Sequence, residues 1–524
     1  MRAARWVCGP AARPAARRAR PGGWFPRWAT DPNGRTARGR VAVVDSPREG
    51  TGHALWGGRF EGGLSREMEA LNRSLDVDWR LWRQDVRGSR AWARGLERAG
   101  ILSAAEAAGI DDGLRRVAAT LEAAPGPEAF PDEDIHTVVE RLLTETIGPV
   151  GGKLHSGRSR NDQAVTGFRF WGKDAIRGLR GELAALIEAI TAKARETAGI
   201  VMPGYTHLQQ AQPVPAAHWL LSRAWPLVRD LEHLRAVLRE CDVLPLGSGA
   251  LAGCPFEVDR DALAADLGFS RITENSMDAV GDRDWAARLV FGAAMTGVHL
   301  SQLAEDLVLF SATEFGFVRL GDGFTTGSSL MPQKRNPDVA ELTRGKSGRL
   351  VGNLTRMLTV LKGLPAGYNR DLQEDKEAVF DSVDTLAVVL PAMTGAVRSM
   401  KLVRARIEEA LRPEMLATDL ADHLVRRGVP FRESHDLAGA LVRTAEESGR
   451  ELSELTLEEM QAVHPDFGPE VFAVFDPKSS VESRAVRGGT SAEALAAQFA
   501  ALEEAVARAT ASAPPPPQRP RDRA

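Results

Sequence analysis

The 524-residue chain is 43% hydrophobic with a formal net charge of −3, a globular composition that can bury a large core and suggests about three domains. It has no run of about 18 apolar residues for a membrane span, and Cys8, Cys241 and Cys254 form neither a C-x-x-C pair nor a metal-ligand cluster, which points to a reducing compartment. Residues 1 to 40 hold ten Arg and one acid, Asp31, so the remainder carries about −12 and offers no basic face to nucleic acid.

The opening MRAARWVCGPAARPAARRARPGGW has the arginine content of a transit peptide, but no Ser occurs before Ser46, and Pro10, Pro14, Pro21 and Pro26 break any amphipathic helix. Residues 1–50 read as a basic, disordered extension or an over-long start. The first polar cluster, HSGRSRNDQ at 155–163, is an ordinary capping and turn segment with Asp162 or Asn161 near the helix start, or a set of Arg forks and amides suited to carboxylates. Within 171–190, Ile176, Leu179, Leu183, Leu186, Ile187 and Ile190 form a stripe of helical spacing. PGYTHLQQAQP at 203–213 places Thr206 and His207 beside three glutamines; a lone His is more often structural, though imidazole is the natural proton carrier near neutral pH.

Further stripes cover 218–240, 284–311, 338–362 and 375–400, giving five long helices and a helical-bundle core. Several, such as AARLVFGAAMTGVHLSQL at 286–303, are apolar over more than one face, which predicts burial against several neighbours and oligomerisation. Between them, GSSLMPQKRNPD at 327–338 reads as a loop, with Pro337 and Asp338 as a helix start. SAPPPPQRPRDRA closes the chain as a solvated, Pro-rich tail.

Standard signatures fail. GKS at 345–347 has Ala340 where a phosphate loop needs Gly, GSGALAG at 247–253 has the wrong spacing for a dinucleotide turn, no H-E-x-x-H occurs, and Ser328 sits in no G-x-S-x-G elbow. No metal and no cofactor is expected.

The motifs LWGGRF, DEDIHT, GRSRNDQ, GYTHLQ, LPLGSGALAG, NSMDAV, GSSLMPQKRNPD, LPAGYNRDLQEDKEAVFD and MLATDLADHLVRRGVPFRESH follow one another between about residues 54 and 508. In that order they resemble the fumarase/aspartase superfamily of lyases, and MPQK with YNRDLQEDK resembles its argininosuccinate lyase branch. The resemblance implies a mainly α, three-domain protein: an N-terminal helical domain over 51–158, a central long-helix bundle over 159–412, a C-terminal helical domain over 413–510 and a tail over 511–524. It implies a cytoplasmic homotetramer whose active sites are each built from three subunits, with neither nucleic acid nor membrane as partner.

The implied reaction is β-elimination of argininosuccinate to arginine and fumarate, a step in arginine biosynthesis. In it a site must stabilise charge spreading onto a carboxylate. Carried over residue by residue, the catalytic groups are Ser328 as base, His207 as proton relay, Lys334, and Glu341 orienting His207. The substrate contacts are Ser74, Arg160, Asn161, Thr206, Asn336, Tyr368, Gln373 and Lys376, while His136 is either near the site or structural. Ser156, where many relatives have Thr, and Gln210, at a commonly basic position, are the departures. Two other functions fit the same scaffold: a sister lyase releasing fumarate from adenylosuccinate, and a non-catalytic, crystallin-like protein.

Overall fold

The structure, a computed structural model, describes residues 64 to 511; the basic segment 1–50, the LWGGRF motif and the Pro-rich tail from 512 lie outside the described residues. The fold is mainly α. Of three early helices, α1 (Trp82–Arg98), α2 (Ala104–Ala123) and α3 (Ile135–Ile147), the last two start where short polar side chains satisfy free backbone N–H groups. Ser103 and Glu106 form a reciprocal capping box on α2, and Asp134 accepts from the Thr137 N–H at 2.7 Å on α3. Their apolar faces close over Trp92, Ile110, Leu114, Ile135 and Leu143, all fully buried.

The five expected long helices are present as α4 (Arg160–Glu196), α5 (Ala216–Cys241), α6 (Asp284–Ser311), α7 (Asp338–Leu361) and α8 (Asp375–Ser399). Helix α4 starts before its apolar stripe, within the capping segment: Ser159 is the N-cap and Asp162 completes a capping box, so Arg160, Asn161 and Gln163 stand in the first helical turn. Between α4 and α5, β1 (Val201–Thr206) pairs antiparallel with β2 (Gln209–Pro215); two further pairs of two-residue strands join 243–244 to 271–272 and 318–319 to 401–402.

Helix α6 packs against α5, α7 and α8 within the one chain, which accounts for its apolar character on several faces. Helix α7 is the opposite case. Of its 24 residues only Ala340, Thr343, Leu350 and Met357 are buried, while Leu342, Val351 and Leu358 are exposed to 62%, 45% and 53%. Among the described residues, one helical stretch, Arg370–Ser399, is long and apolar enough to cross a membrane by length and composition, and 61% of its most apolar window is buried inside the bundle.

A second apolar core lies in the C-terminal region, where Leu420, Leu424, Leu441, Leu452, Met460, Phe467 and Val471 cluster beneath α9 (Ala417–Val425) and α10 (Phe431–Ser448). The closing helix α11 (Ala492–Thr510) returns to the main core through Leu495, Phe499 and Leu502 and packs on α5.

One close approach in the bundle is made possible by Gly172, where a Cβ would lie 2.5 Å from the Trp285 ring. Trp285 is 1% exposed and packs edge-on against Phe168 at 4.9 Å, so it has little room to yield. Gly172→Ala is expected to lower stability by about 1–3 kcal/mol through overpacking, measured as a fall in Tm at fixed protein concentration; an unchanged Tm would refute the close packing.

Candidate active site

The site begins at the α4 N-terminus. Asp162 Oδ1 accepts from the Ser159 N–H at 3.0 Å, and Oδ2 accepts from the N–H groups of Gly247 and Gly249 at 3.0 and 2.9 Å. One buried carboxylate thus ties the helix start to the GSGALAG loop, and Asn161 adds a bond from Nδ2 to the Ala250 carbonyl at 3.1 Å. Gly247 and Gly249 adopt φ of 93° and 58°, a left-handed conformation that brings both N–H groups to the same oxygen. Burial nevertheless pushes the Asp162 carboxyl up to about 6, against the pull of those three N–H donors and Arg158.

Beside this knot lies a cavity of about 40 Å³ lined by five expected substrate contacts: Ser74, Arg160, Tyr368, Gln373 and Lys376. Arg160 is aimed by the Thr137 hydroxyl, which accepts from Nη2 at 3.1 Å, and by Asp134 at 3.4 Å. Lys376 Nζ donates to Asp375 at 3.1 Å; Asp375 is completely buried and also takes the Arg283 guanidinium. His136 lines the cavity too, with Nδ1 paired to Asp85 Oδ1 at 2.7 Å.

Sequence reasoning missed Asp78, Asp134, Arg283 and Arg370, which share this wall. A signal existed for the first, because Asp78 follows Ser74 by four residues and meets it on one helical face: Ser74 Oγ donates to Asp78 Oδ2 at 2.7 Å. For Arg283 the partner that explains it, Asp375, lies 92 positions away, and no local pattern reports such a pair.

The remaining expected residues are not brought to this cavity within one chain. Thr206 and His207 stand at the tip of the β1–β2 hairpin, where His207 and Leu208 form a two-residue turn with φ of 54° and 57°. Both central residues of such a turn need positive φ, a position Asn and Gly fill at low cost and His and Leu do not. That strain holds the imidazole outward, beside a separate cavity of about 360 Å³ lined by Tyr205, Phe310 and Phe315.

Ser328, Lys334 and Asn336 occupy a third place, the loop before α7. Its base is closed by paired hydrogen bonds between Thr326 and Asn336, at 2.8 and 3.2 Å. Ser328 Oγ accepts from the N–H groups of Leu330 and Met331 at 3.2 and 3.1 Å, while Lys334 is exposed. Glu341 is exposed in the first turn of α7, and among the described residues no ion pair joins it to His207.

Comparison with known proteins bears on all three places at once. Residues 58–352 match the family model described as Lyase, and residues 414–482 match the one described as Argininosuccinate lyase C-terminal. Curated argininosuccinate lyases from Roseiflexus sp. (strain RS-1) and Herpetosiphon aurantiacus are 52% and 51% identical to the chain, covering 86% of it and 99% and 100% of themselves. The chain belongs to the argininosuccinate lyase family. It is accordingly a carbon–nitrogen lyase, and among solved structures it is similar to an EDDS lyase in complex with formate, with a TM-score of 0.76 at 28% identity over 86% of this chain and 91% of that one. A class II fumarase from Schistosoma mansoni shares the fold, with a TM-score of 0.66 at 18% identity over 78% and 96%.

Asp78 makes this region sensitive to pH. It is 3% exposed, and burial together with the neighbouring Asp134 raises its carboxyl from 3.8 to about 6. Below pH 4 the group is protonated whether the chain is folded or not. Between 4 and 6 the unfolded chain ionises first, so the folded state loses up to about 3 kcal/mol, and above 6 the loss is complete. Asp78→Asn, which keeps an acceptor for the Ile135 N–H, should therefore raise Tm at pH 8 and give a gain that shrinks towards pH 4. A gain independent of pH would show that ionisation is not its origin.

Proposed function

We propose that the chain cleaves argininosuccinate to arginine and fumarate, as part of arginine biosynthesis, at sites that three subunits of a cytoplasmic homotetramer complete together. The reaction is carried by one observation: identity of about half over nearly the full length of curated argininosuccinate lyases. The shared site is supported by geometry. Within one chain the Ser74–Lys376 cavity, the His207 hairpin and the Ser328 loop are three separate places, and the exposed apolar residues of α7 suit burial against other copies of the chain. The free thiols of Cys241 and Cys254 fit a reducing compartment. The division at about 412 is supported by the separate apolar core around Leu424 and Phe467, whereas on either side of residue 158 the early helices and the bundle share the main core.

In this reading Ser328 removes a proton from the succinyl methylene, negative charge spreads onto the adjacent carboxylate, and the carbon–nitrogen bond breaks to leave fumarate. The departing guanidino nitrogen takes a proton and becomes part of arginine. Serine is a weak base because its hydroxyl is normally protonated; the two N–H groups of Leu330 and Met331 already aimed at Oγ, with Lys334 nearby in sequence, lower the cost of the oxyanion. His207, oriented by Glu341 of another subunit, relays the proton. Asn161, Thr206 and Asn336 supply donors to the carboxylates, and Arg160 and Lys376 supply charge.

Pure protein incubated with argininosuccinate should release fumarate and arginine. Fumarate from adenylosuccinate alone would replace this reading by the sister activity, and folded tetramers without turnover on either would make the chain a non-catalytic relative. Ser328→Ala should lower kcat by orders of magnitude and leave substrate affinity within about tenfold; activity within about threefold of wild type removes Ser328 from the mechanism.

The shared site has its own test. Inactive His207→Asn and Ser328→Ala chains, unfolded together and refolded as mixed tetramers, should regain a measurable fraction of turnover, because some arrangements gather both defects in one site and leave another whole. Mixed tetramers verified by mass but lacking activity would overturn the shared site while leaving the reaction intact.

A further inference from the structure

Three arginines that line neither cavity, Arg177, Arg180 and Arg235, meet beside the end of α11. Arg177 and Arg180 stand three residues apart on α4 and share a face, while Arg235 comes from α5, which packs along that helix. Arg180 Nη2 donates to the carbonyl of Ala509, in the last turn of α11, at 2.7 Å. Arg177 pairs with Asp174 at 3.0 Å. Among the described residues no carboxylate pairs with Arg180, and Arg235 makes neither an ion pair nor a side-chain hydrogen bond; the Nε of each is buried without a partner. Burial first, and then the charges of Arg235 and Arg177, hold the Arg180 guanidinium below its ordinary range.

An arginine at a helix C-terminus is a common cap, which accounts for one nitrogen of Arg180. It does not account for Arg235, or for like charges set side by side across two helices with a donor of each shut away from water. Three guanidinium groups, less the Asp174 carboxylate and about half a charge at the end of α11, leave about +1.5. A phosphate group carries about −1.5 to −2 at pH 7 and presents three acceptor oxygens, a closer match than one carboxylate. The rest of the chain does not supply that anion: residues 512–524 hold three Arg and one Asp, and residues 1–40 ten Arg and one Asp.

We propose that Arg180 and Arg235, with Arg177 at the edge, form a binding site for a phosphate group, apart from the catalytic machinery. Arg235 offers a whole guanidinium fork, and Arg180 the donors that its bond to Ala509 leaves free. Because the cluster joins α4, α5 and the end of α11, filling it removes a repulsion between packed helices and stabilises the bundle. The assignment is independent of which reaction the protein catalyses.

Calorimetry and thermal unfolding of the assembled full-length protein, with chloride holding the ionic strength constant, test the site. Inorganic phosphate should raise the Tm of wild type and bind it at least about tenfold more tightly than it binds Arg235→Gln, the scale of one charge-assisted hydrogen bond. Lys376→Met, which removes a cation from the Ser74 cavity, should leave phosphate affinity within about twofold. Arg177→Gln alters only an exposed side chain and keeps the test decisive if Arg235→Gln does not fold; it should weaken phosphate by about threefold, the scale of one exposed charge. AMP set against adenosine and inorganic phosphate identifies the source. AMP tighter than phosphate makes the ligand a nucleotide-type ester, and equal affinities make the phosphate group alone sufficient. Wild type whose Tm does not respond to phosphate, or phosphate bound equally by wild type and both Arg variants, would overturn the site. Phosphate binding lost in Lys376→Met would move it to the catalytic cavity and overturn the site as well. Succinate bound as tightly as phosphate, and lost with Arg235→Gln, would replace phosphate by a dicarboxylate and overturn the assigned ligand.

Discussion

The carboxylate of Asp162 is the constraint on which the site depends. It accepts from Ser159, Gly247 and Gly249, and those three bonds determine where the longest helix of the bundle begins and where the GSGALAG loop lies against it. Arg160 and Asn161 occupy the helical positions just before it, so their directions follow from its placement. An exposed cap on a helix of this length would stabilise one end by about 1 kcal/mol. A buried cap shared between two segments 85 residues apart does more, because moving either segment leaves backbone donors unsatisfied in a region without water.

Much of the fold was legible because helical periodicity is a local signal. Ile176, Leu179, Leu183, Leu186, Ile187 and Ile190, read as one stripe, are all buried in α4, and Pro337 with Asp338 does mark the start of α7. The start of α4 was legible from its capping residues and not from periodicity, because an apolar stripe reports only the part of a helix that packs on the core; its polar first turn leaves no such stripe. Helix α6 shows the limit of reading oligomerisation from composition. Most of its apolar residues are covered by its own chain, with Phe291 left exposed, and it is α7, with a less uniform sequence, that leaves Leu342, Val351 and Leu358 uncovered.

For the site, motif matching named residues that line the cavity and omitted the charges that balance them. Ser74, Arg160, Tyr368, Gln373 and Lys376 converge, but the pairs that hold them, Asp134 with Arg160 and Asp375 with Lys376 and Arg283, are tertiary facts. Charge balance is a property of a closed volume, so it becomes readable only once the chain has enclosed one. Asp78 is the clearest instance: in sequence it is one more acid in an acidic helix start, and in space it is the only lining carboxylate not matched to an arginine or lysine among the described residues.

That mismatch also explains why a destabilising group can persist. A carboxylate raised to about 6 by burial and by Asp134 opposes folding at neutral pH, and an amide of the same shape would remove the opposition. A carboxylate held unpaired in a dry cavity interacts more strongly with any group that reaches it than one already paired does. The strained hairpin at His207 and Leu208 follows the same logic in the backbone. Both places are less stable than they could be, Asp78 buried without a basic partner among the described residues and His207 exposed at a strained turn. The stability of the bundle is therefore what permits these local costs to be borne.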